Sequence, residues 1–156
     1  MSIQLIQTGE FAGYAAVFHR RDAGGDVILP GAFVRSLRRR GVRGIRMLWQ
    51  HDPGQPLGVW RVIREDARGL FVHGRLALET RQGRDVAALL AQGAVDGLSI
   101  GFRPVRAMRD RVRRTRLLKE IDLWEISLVT FPMQPAARVL TVRNPVTGPV
   151  PVGWHR

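Results

Sequence analysis

Residues 97–102 read Gly97-Leu98-Ser99-Ile100-Gly101-Phe102, and the fold turns on what flanks Ser99. G-x-S-x-G marks the nucleophile elbow of α/β-hydrolases, where a strand leads into the serine and a helix leads away from it. Here the order is reversed. The preceding RDVAALLAQGAVDG (84–97) has a helical pattern, and the following SIGFRPV (99–105) reads as a strand. The hydrolase order also needs an acid and then a histidine downstream, and His155, next to the last residue, is the sole downstream histidine. The α/β-hydrolase reading is therefore excluded.

Working outward, the rest of the chain reads as strand-rich. EFAGYAAVF (10–18) is a strand followed by a turn, RRDAGGD. DVILPGAFVRSLRRRG (26–41) starts extended and becomes a helix, with Pro30 suited to its first position, Ala32, Phe33 and Leu37 on one face, and Gly41 as its stop. IRMLWQHD (45–52) is a strand ending in a turn, DPGQP. LGVWRVIRED and GLFVHGRLAL are two more strands, and TRQGRDVAALLAQG (80–93) is a second helix closed by Gly93. GLSIGFRPV and TRLLKEIDLWEISLVTF read as paired strands joined by the arginine-rich loop. Short antiparallel strands with two helices predict a mostly β fold, a closed or nearly closed β-barrel with flanking helices. Residues 1–142 are expected to form this domain, with 143–156 a loosely ordered Pro/Gly-rich tail.

At 156 residues and 45% hydrophobic content, one domain with a sizeable core is expected. Absence of cysteine excludes disulfides, thiolate metal sites and a cysteine nucleophile. No P-loop or G-x-G-x-x-G segment points to a nucleotide, no side-chain cluster has metal-ligand spacing, and neither metal nor cofactor is expected. No apolar run could span a bilayer, and MSIQLIQTGEF lacks the pattern of a secretory signal, so a cytoplasmic location is the expectation. The extreme quantity is charge. Lys+Arg total 25 against Asp+Glu 13, a net of +12, almost all of it arginine and concentrated in LRRRG (37–41) and RDRVRRTR (109–116). Such runs fit solvated surface, an acidic partner or nucleic acid bound non-specifically. Neither is interleaved with aromatics as a single-strand platform would be.

Strand alternation places Leu98, Ile100 and Phe102 on one side, and Gly97, Ser99 and Gly101 on the other. The hydroxyl then stands on an uncrowded face, open to a substrate backbone or packed against a helix. A serine nucleophile needs a base. His155 lies in the tail, His73 on a mixed strand face, and His19 beside two arginines. His51 lies at the rim of the face carrying Ile45, Met47 and Trp49, placed either to act as a base or to bond a backbone carbonyl. In LWEISLVTF, Leu123, Glu125, Ser127, Val129 and Phe131 share one face, and Trp124, Ile126, Leu128 and Thr130 the other. Both are apolar, so Glu125 is a buried acid that needs a partner, either His51 or an arginine. Asp122 is a less buried rival.

GDVILPGAFVRSL, MLWQHDPGQPLG, GLSIGF and WEISLVTFP, in that order across residues 10 to 140, resemble the tailed-phage prohead protease family, which is similar in fold to the herpesvirus assemblins. The resemblance implies a β-barrel ringed by helices and a serine endopeptidase of head maturation, in a phage or a gene-transfer agent. It implies Ser99 as nucleophile, His51 as base and Glu125 as third member, where assemblins place a second histidine. The implied substrates are the scaffolding segment of the major capsid protein, any separate scaffold protein and the protease itself. The implied setting is the assembling procapsid in the host bacterial cytoplasm, with homo-oligomerisation open. Two rivals are a catalytically inactive scaffold or assembly protein of the same fold and a basic nucleic-acid-binding module.

Overall fold

The structure, a computed structural model, describes residues 8–144 and 148–151. Its strands are β1 (Glu10–Val17), β2 (Asp26–Ile28), β3 (Arg46–Trp49), β4 (Asp52–Glu65), β5 (Gly69–Leu76), β6 (Gly97–Asp110), β7 (Thr115–Val129), β8 (Val139–Asn144) and β9 (Gly148–Pro151). The helices among the described residues longer than one turn are α1 (Val34–Arg40) and α2 (Arg81–Ala91).

The α2 helix forms as its sequence predicts. Thr80 caps it, its hydroxyl accepting from Gly83 N–H at 2.9 Å. Gly83, Val86, Ala87 and Leu90 make the buried stripe, and Gly93 ends the segment in the left-handed region. The start of α1 differs from expectation. Pro30 is not its first residue but the second position of a turn in which Ala32 N–H returns to the Leu29 carbonyl at 3.2 Å. Gly31 follows at φ 91, so Pro-Gly sets a type II turn before the helix begins. Glu65 then accepts from the N–H groups of Gly31 and Phe33 at 2.9 and 3.0 Å. Gly41 stops the helix as expected, at φ 65 with its N–H on the Leu37 carbonyl.

The strands join in one curled sheet in the order β2-β7-β3-β4-β5-β1-β8-β9, with β6 paired to β7 outside this path. The strand β7 organises it, taking β2 and β3 in parallel and β6 antiparallel. The sheet is open, not the closed barrel expected. Strands β6 and β8 meet only through an isolated bridge, Gly97 with Arg138, flanked by bonds from Leu98 N–H to Ala137 O and Val139 N–H to Asp96 O. Beyond that point β6 runs out with β7 as a long hairpin whose residues 103–109 are exposed, and among the described residues no strand lies there to complete a ladder. The core fills the curl, with Phe11, Phe33, Met47, Leu57, Leu70, Leu98, Leu118 and Leu123 fully buried. At the chain's end β8 extends to Asn144, and β9 pairs with it antiparallel. His155 and the last tail residues lie outside the described residues.

Ser36 locks α1 to β7. It is buried, its hydroxyl donating to Ile121 O and accepting from Leu123 N–H, both at 2.8 Å. These bonds fall on the regular stretch of β7, Ile121 to Leu123, between two slips in the β6–β7 register. Removing the hydroxyl leaves two buried backbone groups unpaired. Ser36→Ala is expected to lower unfolding free energy by about 1–3 kcal/mol, measured by denaturant titration.

Candidate active site

Three neighbouring strands and one tight turn build the site. Trp49 pairs with Asp52, so Gln50 and His51 alone connect β3 to β4. Both have positive φ, 51 and 60, the geometry of a type I′ hairpin turn. DPGQP, expected as the turn, instead lies within β4, and the register slips between Leu48↔Pro56 and Trp49↔Asp52. The turn residues are unusual for that geometry, which glycine and asparagine normally occupy. Bonds from β7 and the residue after it hold them. Gln50 N–H donates to Leu128 O at 3.0 Å, and the Gln50 amide exchanges bonds with Thr130 at 2.7 and 3.3 Å. His51 N–H donates to Ser127 Oγ at 3.0 Å.

The His51 ring reaches Glu125. Its Nδ1–H donates to Glu125 Oε1, while Glu125 Oε2 accepts from Ser127 Oγ–H at 2.8 Å. Glu125 is 3% exposed and Ser127 fully buried, whereas the His51 ring keeps partial access to solvent. The hydrogen bond and charge of Glu125 raise the His51 pKa above its ordinary value, against the lowering effect of partial burial. With Nδ1 engaged, Nε2 is the nitrogen left to take a proton.

Space for the carboxylate comes from Gly101, which pairs with Glu125 across β6–β7. A Cβ at residue 101 would lie 2.6 Å from Glu125 Cδ and Cγ. At Gly97 a Cβ would meet Val129 O and the Pro132 ring at 2.7 and 2.8 Å. The Gly97–Ser99–Gly101 face is therefore not the uncrowded surface that alternation predicts; both glycines are covered. Ser99 sits between them, opposite Ser127 and 5% exposed. Among the described residues its hydroxyl makes no hydrogen bond. Ser99 and His51 line one cavity of ≈ 140 Å³, walled by Ala15, Ile28, Leu98 and Phe102 and closed by Asp22, Asp26 and Gln134.

The structure thus brings Glu125 and His51 into direct contact and sets Ser99 on the cavity that His51 faces. Asp122 is elsewhere. It is as buried as Glu125, contrary to expectation, and is held by Arg39, Arg40 and Arg103. Burial would raise its pKa, but Arg40 and Arg39 hold the carboxyl below the usual range. His73 is half-buried on β5, 3.8 Å from Glu10, and His19 occupies an exposed left-handed turn position. A phase change in β7 also moves Trp124 off the buried face assigned to it: Gly101 pairs with Glu125 but Phe102 with Leu123, so Trp124 bulges outward at 40% exposure. Sequence reasoning missed Ser127, Gln50 and Gln134. Ser127 carried a signal, a hydroxyl two residues from a buried acid on the same strand face. Gln134 carried none. It is buried and binds Val17 N–H, Val17 O and Arg20 O at 2.6, 2.9 and 2.9 Å, fixing the far wall of the cavity. Among the described residues no group of three or more His, Asp or Glu side chains is arranged to hold a metal.

The family model of the caudovirus prohead serine protease matches residues 2–147, and the chain belongs to that family. It is 36% identical over 138 residues to the prohead protease of Enterobacteria phage HK97, covering 87% of this chain and 61% of the relative; the chain thus spans about three-fifths of that protein's length. The bacteriophage T4 capsid assembly protease superposes with a TM-score of 0.65 at 12% identity, over 79% of this chain and 82% of that one. The KSHV protease in complex with a hexapeptide phosphonate inhibitor gives 0.55 at 11% identity, over 86% and 64%. The varicella-zoster virus protease gives 0.52 at 16% identity, over 83% and 62%. These likenesses establish an assemblin-like fold.

The contact between Gly101 and the Glu125 side chain yields a test independent of activity. Gly101 has ordinary backbone angles, so Gly101→Ala acts only by displacing the carboxylate. The variant is expected to lose about 1–3 kcal/mol of stability. Its His51 ring should titrate at lower pH than in the parent protein, read by NMR of the imidazole protons.

Proposed function

We propose that this chain is a serine endopeptidase of head maturation in which Ser99 is the nucleophile, His51 the general base and Glu125 the acid that orients it. The observation that carries the reading is the buried Glu125 carboxylate on His51 Nδ1, with Nε2 unbonded among the described residues and Ser99 on the same cavity. His51 Nε2 takes the Ser99 proton as Oγ attacks the scissile carbonyl carbon. The proton passes to the departing amine as the C–N bond breaks. Water, deprotonated by the same nitrogen, then releases the acyl group and restores Ser99. Glu125 holds the ring in one tautomer and stabilises the imidazolium formed in both steps. Ser127 is a positioning residue, tying the backbone of His51 to the carboxylate that holds its ring.

The substrates proposed are the scaffolding segment of the major capsid protein, any separate scaffold and the protease itself, with action inside the assembling procapsid in the host cytoplasm. Family membership and the HK97 relative support this setting.

Co-expression with the neighbouring capsid protein and intact-mass analysis test the reading. Ser99→Ala and His51→Ala should each lower capsid-protein cleavage by about 10⁴-fold or more; Ser99→Ala should melt like the parent, whereas His51→Ala should melt lower because one oxygen of the buried Glu125 loses its partner. Normal processing by Ser99→Ala would remove this serine from the reaction.

The pH profile tests the acid. A base must be neutral, so cleavage should rise with pH through a His51 pKa above the ordinary value of about 6.5. Glu125→Gln removes the negative charge and leaves at most a weaker, neutral hydrogen bond to set against the lowering effect of burial. Its ascending limb should therefore move to lower pH, while the plateau falls by about 10²–10⁴-fold. An unmoved limb would reassign the acid.

A further inference from the structure

Sequence order separates RDRVRRTR from His51 and Ser99, but the fold does not. The loop between β1 and β2 brings them together. Asp22 N–H bonds Asp26 O at 2.8 Å, Ala23 N–H bonds Met133 O at 2.9 Å, and Arg116 N–H bonds Gly25 O at 3.0 Å. The loop is thereby pinned between the segment after β7 and the base of the β6–β7 hairpin. On one side Asp22, Gly24 and Asp26 wall the cavity holding Ser99 and His51. On the other, Gly24, Gly25 and Asp26 wall a groove of ≈ 520 Å³, lined also by Arg21, Arg109, Arg111, Arg114 and Arg116. The two spaces share Gly24 and Asp26.

Charge in the groove is unbalanced. Arg116 is committed to Asp26 through two bonds of 2.7 Å. Asp110 accepts the N–H groups of Val112 and Arg113 at the hairpin tip, with Arg113 Nε 3.9 Å away. Arg21, Arg109, Arg111 and Arg114 have no carboxylate partner among the described residues; Arg21 makes one long bond, to Arg114 O at 3.5 Å. Four arginines without a carboxylate partner among the described residues thus line a groove adjoining the candidate cleavage centre. Among the described residues no aromatic side chain lines it, so they supply none of the stacking surfaces of a single-strand nucleic-acid channel.

We propose that this groove is a substrate subsite that binds Asp or Glu side chains of the peptide being cut, away from the scissile bond. The inference rests on the endopeptidase reading and adds the chemical class of its substrate. Guanidinium groups bind carboxylates through paired N–H donors, and steering by such a patch acts on capture more than on the chemical step.

The experiment uses two charge-matched variants. One is Arg21→Gln/Arg109→Gln/Arg111→Gln in the groove; the control is Arg38→Gln/Arg43→Gln/Arg61→Gln on exposed surface elsewhere. Each digests a proteome-derived peptide library, and mass spectrometry reads the cut sites. Parent and control should cut sites enriched in Asp and Glu at flanking positions, and the groove variant should lose that enrichment. For an acid-flanked peptide taken from those sites, the groove variant should raise KM by about tenfold with kcat unchanged; its Gln-substituted counterpart should not respond. Enrichment that is absent, or retained in the groove variant, overturns the subsite and leaves the endopeptidase standing.

Failure of the endopeptidase reading looks different: no cut sites, and no Ser99-dependent labelling by a fluorophosphonate. Binding then decides the groove alone, by anisotropy of a labelled Glu-rich peptide, its Gln counterpart and a duplex DNA. Loss of the Glu-rich peptide in the groove variant alone supports carboxylate binding there. Loss of DNA with peptide binding intact assigns the groove to nucleic acid and overturns the proposal.

Discussion

A carboxylate almost without access to water sets the geometry of the whole site. Glu125 lies on a strand buried on both faces, and an unsatisfied charge there would cost several kcal/mol. Three neighbours resolve this. Gly101 on β6 leaves the volume the side chain needs, Ser127 donates to one oxygen, and His51 donates to the other. Because these groups come from β6, β7 and the β3–β4 turn, the strand pairing around β7 has to be correct before the carboxylate can be satisfied. Here the demand of a buried charge and the order of the sheet reinforce one another.

The turn that presents His51 is held in a conformation its residues do not favour. Two consecutive non-glycine residues in the left-handed region are costly, of order 1–2 kcal/mol each. The compensation is local. The Gln50 side chain clasps Thr130, and the two turn N–H groups find Leu128 O and Ser127 Oγ. Substituting glycine or asparagine would relieve the backbone but would remove the amide clasp at one position and the imidazole at the other. The strain is thus tied to the side chains that build the candidate site.

Much of this was legible in the sequence, for identifiable reasons. Period-two alternation in LWEISLVTF marked Glu125 as a buried acid in need of a partner, while the register that sets Ser99 opposite Ser127 follows only from the β6–β7 pairing. Alternation failed at Trp124, where one bulged residue inverts the phase, and a bulge leaves no composition signal. The same limit hid the Gln50–His51 turn, since QH carries none of the glycine or asparagine that announces such a turn, while DPGQP resembles one and is strand instead. Pro30-Gly31 was visible as punctuation but assigned to the helix, although proline then glycine suits a turn better. Closure of the sheet depends on whether two strands far apart in sequence meet along their length, and Gly97–Arg138 shows how briefly they do. The adjacency of the arginine hairpin to the cavity is likewise a product of tertiary packing around Gly24 and Asp26.

The His51–Glu125 pair has opposite consequences for stability and for the proposed chemistry. A histidine whose folded pKa is raised stabilises the fold fully below its unfolded pKa, and that contribution fades as pH rises through the folded value. A general base works only once that proton is gone. The pH range in which His51 can accept a proton is therefore the range in which its charged pairing with Glu125 contributes least to holding the turn. The other tethers do not titrate there. His51 N–H on Ser127, Gln50 N–H on Leu128 O and the Gln50–Thr130 clasp persist whatever the charge of the ring. Ser127 matters most among them, because one hydroxyl keeps both the turn backbone and the carboxylate in register when the imidazole is neutral, the state in which the proposed reaction begins.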